Sequence, residues 1–270
     1  MSFHVVIPAR HASTRLPGKP LLDIGGESMI QRVVARACAS GAQEVLVATD
    51  DTRIAAAVRD PRSPAASIAV MTDPRLPSGT DRVAAVAAER GWSDETVVVN
   101  VQGDEPFLPP ALIDQAAGLL MQDPSAGIAT LATPVESAEE FLDPNVVKVV
   151  TALDGTALYF SRAPIPWTRD GAEGGLTGQH DFGEARRHVG IYAYRVGALR
   201  RITALAPSAL ERREKLEQLR ALQHGVRIVV GTCVEPPPPG VDTPQDLERA
   251  RARAAAMGAG TTGGVPWTRS

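Results

Sequence analysis

Short apolar runs alternate with stretches of helical spacing through the first half of the chain. The runs are continuous and rich in Val, Ile and Ala, which is typical of strands buried on both faces of a parallel sheet. The predicted strands are Phe3–Ile7, Val45–Thr49, Ile68–Thr72, Thr96–Val101 and Ile128–Thr133. The predicted helices between them are Ser28–Ser40, Thr52–Arg59, Thr80–Arg90 and Pro110–Gln122. This alternation predicts an α/β fold with a mostly parallel central sheet.

The regular alternation of strands and helices ends at about residue 140, and the strands that follow are separated by longer loops. A second set of strands is predicted at Asn145–Thr151, Ala157–Phe160, Val189–Tyr194 and Arg227–Val230. A helix is predicted over Pro207–Gln223, and the loop Trp167–Phe182, which is rich in Gly and charge, is predicted to be mobile or a lid. We expect a single domain over residues 1–254, in which about 140–225 form a smaller inserted segment.

The end of the chain holds one more helix and a polar tail. Thr243 can cap a helix that begins with Pro244, because Thr is favoured at the cap and Pro at the first helical position. Residues 258–270 carry too little apolar content to pack against a core. We therefore expect this tail to be disordered.

Composition and charge narrow the class of protein. The 270 residues are 44% hydrophobic and 22% charged, and the formal net charge is −3. This balance argues against an extended nucleic-acid surface. No apolar run approaches the roughly 20 residues of a membrane helix, and the first residues lack the basic and apolar segments of a secretory signal. We expect a cytoplasmic protein without a nucleic-acid or membrane partner.

Three cations lie on the loop that follows the first predicted strand. Arg10, Arg15 and Lys19 fall within ten residues, among small and turn-forming residues that let a backbone approach a ligand closely. Guanidinium groups bind phosphate oxygens through bidentate hydrogen bonds, and the lysine ammonium adds a compact positive charge. Ligands of parallel α/β sheets bind at this edge. The loop predicts a polyphosphate site, and the alternative is a solvated basic loop.

Two acids follow glycine at other turns. Asp104 comes directly after Gly103 at the end of a predicted strand, and Asp242 comes two residues after Gly240. Carboxylates close to phosphates commonly hold Mg²⁺, a hard cation that prefers oxygen ligands. The alternatives are a turn that closes the strand for Asp104 and an acid at a helix N-terminus for Asp242.

Polar side chains in three further segments are candidates for ligand contact. The segment Ser78–Arg82 opens a helix whose free N–H groups could bind a base or phosphate, although a plain helix cap fits the spacing equally well. His188 and Tyr192 are predicted to share one face of a strand, which suggests a hydroxylated ligand. Glu211, Glu214, Glu217 and Gln218 would share a stripe of the helix over 207–223, of which most is expected to be solvated.

These motifs, in this order, resemble the cytidylyltransferases that activate 3-deoxy-D-manno-octulosonate (Kdo) for lipopolysaccharide. The resemblance covers residues 1 to about 254. The matching segments are Ile7–Pro20, Val47–Asp50, Ser78–Arg82, Asn100–Pro106, Asn145–Val150, Tyr159–Trp167, Arg187–Tyr194, Leu216–Arg220 and Gly240–Glu248. The resemblance implies a Rossmann-like nucleotide-diphospho-sugar transferase fold, in which the smaller segment completes the acceptor site and the contact of a homodimer.

The resemblance also implies a reaction and its residues: CTP and Kdo give CMP-Kdo and pyrophosphate, with Mg²⁺ as cofactor. The residues implied for catalysis are Arg15, Lys19, Asp104 and Asp242, of which Asp104 and Asp242 would bind the metal. Those implied for the nucleotide are Ala9, Arg10, Arg15, Lys19, Ser78 and Gly79. Those implied for the sugar acid are Arg82, Gln102, Arg162, His188, Tyr192 and Glu217.

The sequence leaves two other functions open. One is a nucleotidyltransferase of another acceptor, such as a sialic acid or a sugar phosphate; the segments Arg187–Tyr194 and Leu216–Arg220 favour Kdo over it. The other is a non-catalytic nucleotide sensor, which would have no use for the metal site. The chain departs from the family at Ala209, where a proline is frequent, and Lys215 belongs to an unusually basic stretch of the predicted acceptor helix.

Overall fold

The computed structural model describes residues 2–12, 16–63, 67–169, 175 and 182–260, with side chains up to Met257. The strands are β1 (Phe3–Ala9), β2 (Asp23–Ile24), β3 (Glu27–Ser28), β4 (Glu44–Thr49), β5 (Ala69–Met71), β6 (Val97–Asn100), β7 (Ile128–Pro134), β8 (Lys148–Thr151), β9 (Ala157–Ser161), β10 (Arg186–Arg195) and β11 (Ile228–Thr232). The helices are α1 (Met29–Cys38), α2 (Thr52–Ala57), α3 (Gly79–Glu89), α4 (Pro110–Gln122), α5 (Ala138–Leu142), α6 (Val196–Thr203), α7 (Ala209–Glu214), α8 (Gln218–Gln223) and α9 (Pro244–Gly260). No helix in these ranges is long and apolar enough to cross a membrane.

One mixed sheet organises the described part of the chain. Its main path has the strand order β11-β7-β10-β6-β1-β4-β5. β1 pairs parallel with both β4 and β6, and β11 pairs parallel with β7. β10 runs antiparallel between β6 and β7, and the β8–β9 hairpin is attached to β10. The predicted mostly parallel sheet is confirmed.

The strand order places a ligand crevice beside β1. The chain adds β4 and β5 on one side of β1 and then returns to place β6 on the other side. The loops that leave β1 and β6 therefore diverge at the carboxyl edge, and in open α/β sheets ligands bind at such a switch point. Both loops carry predicted site residues.

Apolar side chains bury both faces of the sheet. Val5 and Ile7 of β1 pack on the side of α1 and α4, while Val6 packs on the side of α3. All three are fully buried, as the continuous apolar run predicts. Ser28 opens α1 with a capping box, in which its hydroxyl accepts from the backbone N–H of Gln31. The core thus holds β1 in a fixed position.

The single helix predicted over 207–223 is wrong, because the chain breaks it into α7 and α8. Lys215 adopts the left-handed conformation with φ 56° and ψ 44° at the end of α7. The guanidinium of Arg220 in α8 donates two hydrogen bonds of 2.5 and 2.8 Å to the carboxylate of Glu211 in α7. This bidentate pair holds the two short helices against each other. Glu211 and Glu217 therefore do not share one helical stripe.

Hydroxyl side chains cap α7 and α9, and the cap predicted at Thr243 is confirmed. Ser208 caps α7 through the N–H of Glu211 although Ala209 stands where the family often has proline. The Thr243 hydroxyl accepts from the N–H of Asp246 at 3.2 Å at the start of α9. α9 extends to Gly260. The prediction of a disordered tail is therefore wrong for residues 258–260, because the helix continues through them, and 261–270 lie outside the described residues.

Candidate active site

An open cleft lies at the switch point between β1 and β6. It encloses about 840 Å³ including its mouth, and its walls include Ala9, Arg10, Lys19, Gln102, Asp104 and Asp242. Six of the predicted site residues therefore meet in one place. Arg15, which was also predicted here, lies outside the described residues, as does most of the loop Trp167–Phe182 that was predicted to be mobile or a lid.

Lys19 forms the centre of this cleft. Its ammonium group donates to Asp104 Oδ2 at 2.7 Å and to Asp242 Oδ1 at 2.8 Å. Only 12% of the Lys19 side chain is exposed, against 32% for Asp104 and 47% for Asp242. Burial opposes the charged form of Lys19, but the two carboxylates outweigh it and raise the pKa of the ammonium. The cation is therefore held firmly between two anions that remain open to a ligand.

Close backbone approaches bring the two carboxylates to the same point. A Cβ atom on Gly103 would lie 2.8 Å from the carbonyl oxygen of Pro8, so this position beside β1 requires glycine. The N–H of Val241 donates to the carbonyl of Asp104 at 2.9 Å. This bond ties the segment before α9 to the loop after β6, and it places Asp242 opposite Asp104.

The donor set of this cleft fits Mg²⁺. Asp104 and Asp242 offer carboxylate oxygens, the ligands that this hard cation prefers, on both sides of one ammonium position. The described residues include no group of three or more His, Cys, Asp or Glu side chains that could hold a metal by themselves. Mg²⁺ commonly binds through one or two carboxylates and completes its shell with water and substrate phosphates.

Glu105 directly follows Asp104 and packs against Gly240, where it adjoins the cleft without lining it, and the sequence did not single it out. Burial, followed by the neighbouring charge of Asp104, raises the pKa of its carboxyl to about 8. The group is therefore mostly protonated at neutral pH and does not add a third negative charge beside Asp104 and Asp242. Its position directly after Asp104 was the available signal, but a sequence does not reveal which of two adjacent acids is buried.

The start of α3 forms the wall next to β1. Ser78 caps α3 in a box with Asp81, and Gly79 packs against the Pro8 ring, where an added Cβ would lie 3.1 Å from Cγ. Arg10 donates to the carbonyl of Leu76 on the loop before α3. The segment that carries Ser78 and Gly79 thus lies against the end of β1, where Ala9 and Arg10 follow Pro8. Their contact with a nucleotide stays a prediction.

Arg82 is buried inside the fold and does not line the cleft. Its side chain is fully buried, and it donates to Asp50 Oδ2 at 2.7 Å and to the Thr72 hydroxyl at 2.5 Å. Its Nε has no hydrogen-bond partner among the described residues. In this arrangement the guanidinium braces β4 and the loop after β5 against α3. Its expected contact with a sugar acid stays a prediction.

A second pocket adjoins the cleft and shares Gln102 with it. This pocket encloses about 530 Å³, and its walls include Thr80, Tyr192, Lys215 and Glu217. The hydroxyl of Thr80 donates to Glu217 Oε2 at 2.7 Å, which links the first turn of α3 to the start of α8. Three of the residues predicted for the acceptor, Gln102, Tyr192 and Glu217, therefore meet in one pocket. The contact of Thr80 with Glu217 was not predicted, because the two residues are 137 positions apart.

His188 contacts Tyr192 at the base of the predicted acceptor side. Their ring centroids are 5.2 Å apart, across a bulge in β10. The single proton of the Thr130 hydroxyl is donated to the carbonyl of Ile191 at 2.7 Å, so His188 Nε2–H is the donor in its 2.9 Å bond to that hydroxyl. Burial lowers the pKa of His188 to about 3. The ring is therefore neutral and carries its proton on Nε2.

Arg162 is held by backbone carbonyls. Its Nε donates to the carbonyl of Glu214 at 2.7 Å and its Nη1 to that of Pro144 at 2.9 Å. The carbonyl of Arg162 in turn accepts from the buried ammonium of Lys148 at 2.9 Å. Arg162 thus pins the end of α7 to the loop before β8, and its expected contact with a sugar acid stays a prediction.

The comparisons with known proteins decide the family. A family model described as Cytidylyltransferase matches residues 4–228. The chain belongs to this cytidylyltransferase family. A relative from Xanthomonas euvesicatoria named 3-deoxy-manno-octulosonate cytidylyltransferase is 55% identical over 253 residues, which cover 94% of this chain and 96% of the relative. A protein of the same name from Thioalkalivibrio sulfidiphilus is 53% identical, with 92% and 97% covered. The expected family is confirmed.

Solved structures of cytidylyltransferases confirm the expected nucleotidyltransferase fold. A CMP:2-keto-3-deoxy-manno-octonic acid synthetase in complex with CTP is similar with a TM-score of 0.83 and 41% identity, covering 95% of this chain and all of the other. The 2-C-methyl-D-erythritol 4-phosphate cytidylyltransferase of Thermus thermophilus has a TM-score of 0.54 at 19% identity, with 94% of this chain and 100% of the other covered. This second likeness is one of fold alone.

Proposed function

We propose that the protein transfers CMP from CTP to the anomeric hydroxyl of Kdo, releasing pyrophosphate and supplying an activated sugar for lipopolysaccharide. The observation that carries the proposal is the Lys19 ammonium held between Asp104 and Asp242, in a cleft that shares Gln102 with a second pocket. Charged groups for a metal-bound triphosphate and a neighbouring polar pocket are what a two-substrate transfer needs. The names of the relatives at 53–55% identity support this acceptor.

The cleft accounts for the nucleotide side of the reaction. Lys19 and Arg10 would bind the phosphates, and Lys19 would stabilise the charge that develops on departing pyrophosphate. Asp104 and Asp242 would hold Mg²⁺, which supplies charge neutralisation and lowers the pKa of the acceptor hydroxyl. The surface of Ala9, Ser78 and Gly79 would receive the cytosine nucleotide. These residues gain their effect from position and charge, without a covalent enzyme intermediate.

The adjoining pocket accounts for the acceptor side. An acceptor in the pocket of Gln102, Tyr192 and Glu217 would point its anomeric hydroxyl through the shared opening toward the α-phosphate. The hydroxyl oxygen attacks phosphorus in line, the bond to the β-phosphate breaks, and the hydroxyl proton passes to solvent. The Thr80 hydrogen bond keeps Glu217 in place for this alignment, and good alignment supplies much of the catalysis in such transfers.

A pyrophosphate-release assay tests this function. Each of the four nucleoside triphosphates would be incubated with the protein and Mg²⁺, with Kdo, with a sialic acid or without an acceptor. We expect rapid release only with CTP and Kdo together, and formation of a CMP-sugar in the same samples. Faster release with the sialic acid would overturn the acceptor. The absence of release in every combination, with CTP binding intact, would favour a nucleotide sensor.

We also propose that two copies associate through the β8–β9 hairpin. Leu153 in its turn is fully exposed and Leu158 on β9 is 62% exposed. β9 pairs only with β8 among the described strands, so this hairpin ends one branch of the sheet. Light scattering of the purified protein should give twice the chain mass, and Leu158→Glu should shift it toward the monomer. A monomeric wild type would contradict the dimer.

The cytoplasmic compartment stays a prediction from the sequence.

A further inference from the structure

Lys215 has a backbone conformation that lysine rarely adopts. Its φ of 56° and ψ of 44° lie in the left-handed region, and it is alone there among the non-glycine residues that the structure describes. Glycine is the usual residue where a helix ends in this conformation, because a Cβ atom is disfavoured there. A lysine at such a position indicates that its side chain has a use that glycine could not supply.

The turn itself does not depend on the lysine side chain. The N–H of Lys215 donates to the carbonyl of Glu211 at 2.7 Å. The carboxylate of Glu214 accepts from the Ser161 hydroxyl at 2.7 Å and from the N–H of Arg162 at 3.0 Å. On the other side, Leu216 is buried in the core. Neighbours on both sides therefore hold this turn, and none of these contacts involves the ammonium group.

Lys215 lines the predicted acceptor pocket together with Gln102 and Glu217, and it also lines a neighbouring depression with Glu211 and Arg212. It is the one cation among the described residues that line the acceptor pocket. The two arginines expected there are engaged elsewhere: Arg82 is fully buried against Asp50, and Arg162 donates to backbone carbonyls.

The ammonium of Lys215 is also available for a ligand. The carboxylate of Glu217 accepts from the Thr80 hydroxyl, and the ion pairs within the described residues do not include Lys215. An exposed lysine at the wall of a polar pocket can bind an anion without first breaking an internal ion pair. A sugar acid differs from neutral sugars by a carboxylate, and the pocket otherwise presents hydroxyl, amide and carboxylate groups.

We propose that Lys215 binds the carboxylate of the sugar-acid acceptor and selects acidic over neutral sugars. The proposal rests on the function proposed above and adds to it the residue that recognises the acid group. It assigns a role to one residue of the basic stretch 212–215, and it accounts for a lysine at the left-handed turn.

Steady-state kinetics of three variants test the proposal. Lys215→Met should raise the KM for Kdo about 10- to 100-fold, the scale of one hydrogen bond to a charged group, and leave the KM for CTP within about twofold. Lys215→Arg should restore most of the affinity. Lys215→Gly should raise the KM for Kdo similarly while its Tm equals or exceeds that of the wild type, because glycine relieves the disfavoured backbone.

Arg213→Met is the matched control, because Arg213 is an exposed cation two residues earlier that does not line the pocket. It should leave the KM for Kdo unchanged. A wild type active on CTP and Kdo, together with an unchanged KM in Lys215→Met, would overturn this proposal and leave the proposed function intact. A loss of Tm in Lys215→Gly with equal rises in both KM values would assign Lys215 a structural role. A wild type inactive with Kdo would overturn both.

Discussion

Asp104→Asn is expected to lower kcat about 1,000-fold, the scale of losing a metal or a preorganised charge at the transition state. Asparagine keeps the shape of the side chain and an oxygen for Lys19, so the fold should persist. It removes one of the two negative charges that flank the Lys19 ammonium. The measurement is pyrophosphate release at saturating CTP and Kdo over a series of Mg²⁺ concentrations, with Tm measured on the same samples.

The matched control for this change is Asp154→Asn. Asp154 lies in the turn between β8 and β9, where it accepts from the N–H of Thr156 and pairs with Arg227 at 3.2 Å. The same chemical change there should leave kcat unchanged. Near-normal turnover of Asp104→Asn at high Mg²⁺ would remove Asp104 from the metal site. A large fall in Tm would mean that the carboxylate serves the fold.

The regular elements could be predicted closely, because their patterns are local. α4 is predicted and found at Pro110–Gln122. The strand predicted at Thr96–Val101 is found at Val97–Asn100, where every side chain is buried. A continuous apolar run in a chain that alternates strands with helices has few other solutions. The same regularity predicted that the loops after β1 and β6 share an edge.

The break at Lys215 could not be predicted from local pattern. Residues 207–223 have helical spacing throughout, but the Glu211–Arg220 pair and the bond from Arg162 to Glu214 stabilise two short helices instead. These contacts join residues that are 9 and 52 positions apart. A propensity for helix is weak beside such tertiary contacts.

In the candidate site too, features with a local pattern could be predicted and contacts between distant residues could not. Asp104 could be placed at the sheet edge because it ends a strand. Asp242 is 223 residues from Lys19; its position two residues after Gly240 made it a candidate metal ligand, but no local pattern shows that it meets Asp104 at Lys19. The burial of Arg82 under the cleft was equally hidden, because a sequence shows that an arginine follows a helix cap but not which way its side chain packs. Sequence therefore predicted the residue types of the site better than their contacts.

Lys19→Met is expected to lower kcat/KM for CTP about 100- to 1,000-fold, because it removes a preorganised charge from the phosphate site. The KM for Kdo should change much less, since Lys19 lies in the cleft and does not line the acceptor pocket. Lys19→Arg is the conservative comparison. Its longer, planar group keeps the charge but cannot occupy the same point between Asp104 and Asp242, so we expect only partial activity.

The position of Lys19 also predicts that Lys19→Met gains affinity for Mg²⁺. This change distinguishes it from Asp104→Asn, which should lose affinity. In the described structure the ammonium lies between the two carboxylates expected to hold Mg²⁺. In the absence of CTP it therefore competes with the metal, and Lys19→Met should bind Mg²⁺ more tightly than the wild type by calorimetry. Asp104→Asn should bind it more weakly. Weaker metal binding in both variants would mean that Lys19 supports the metal site instead of competing for it. Opposite changes in affinity with a shared loss of turnover would show that Lys19 serves the triphosphate while the two aspartates serve the metal.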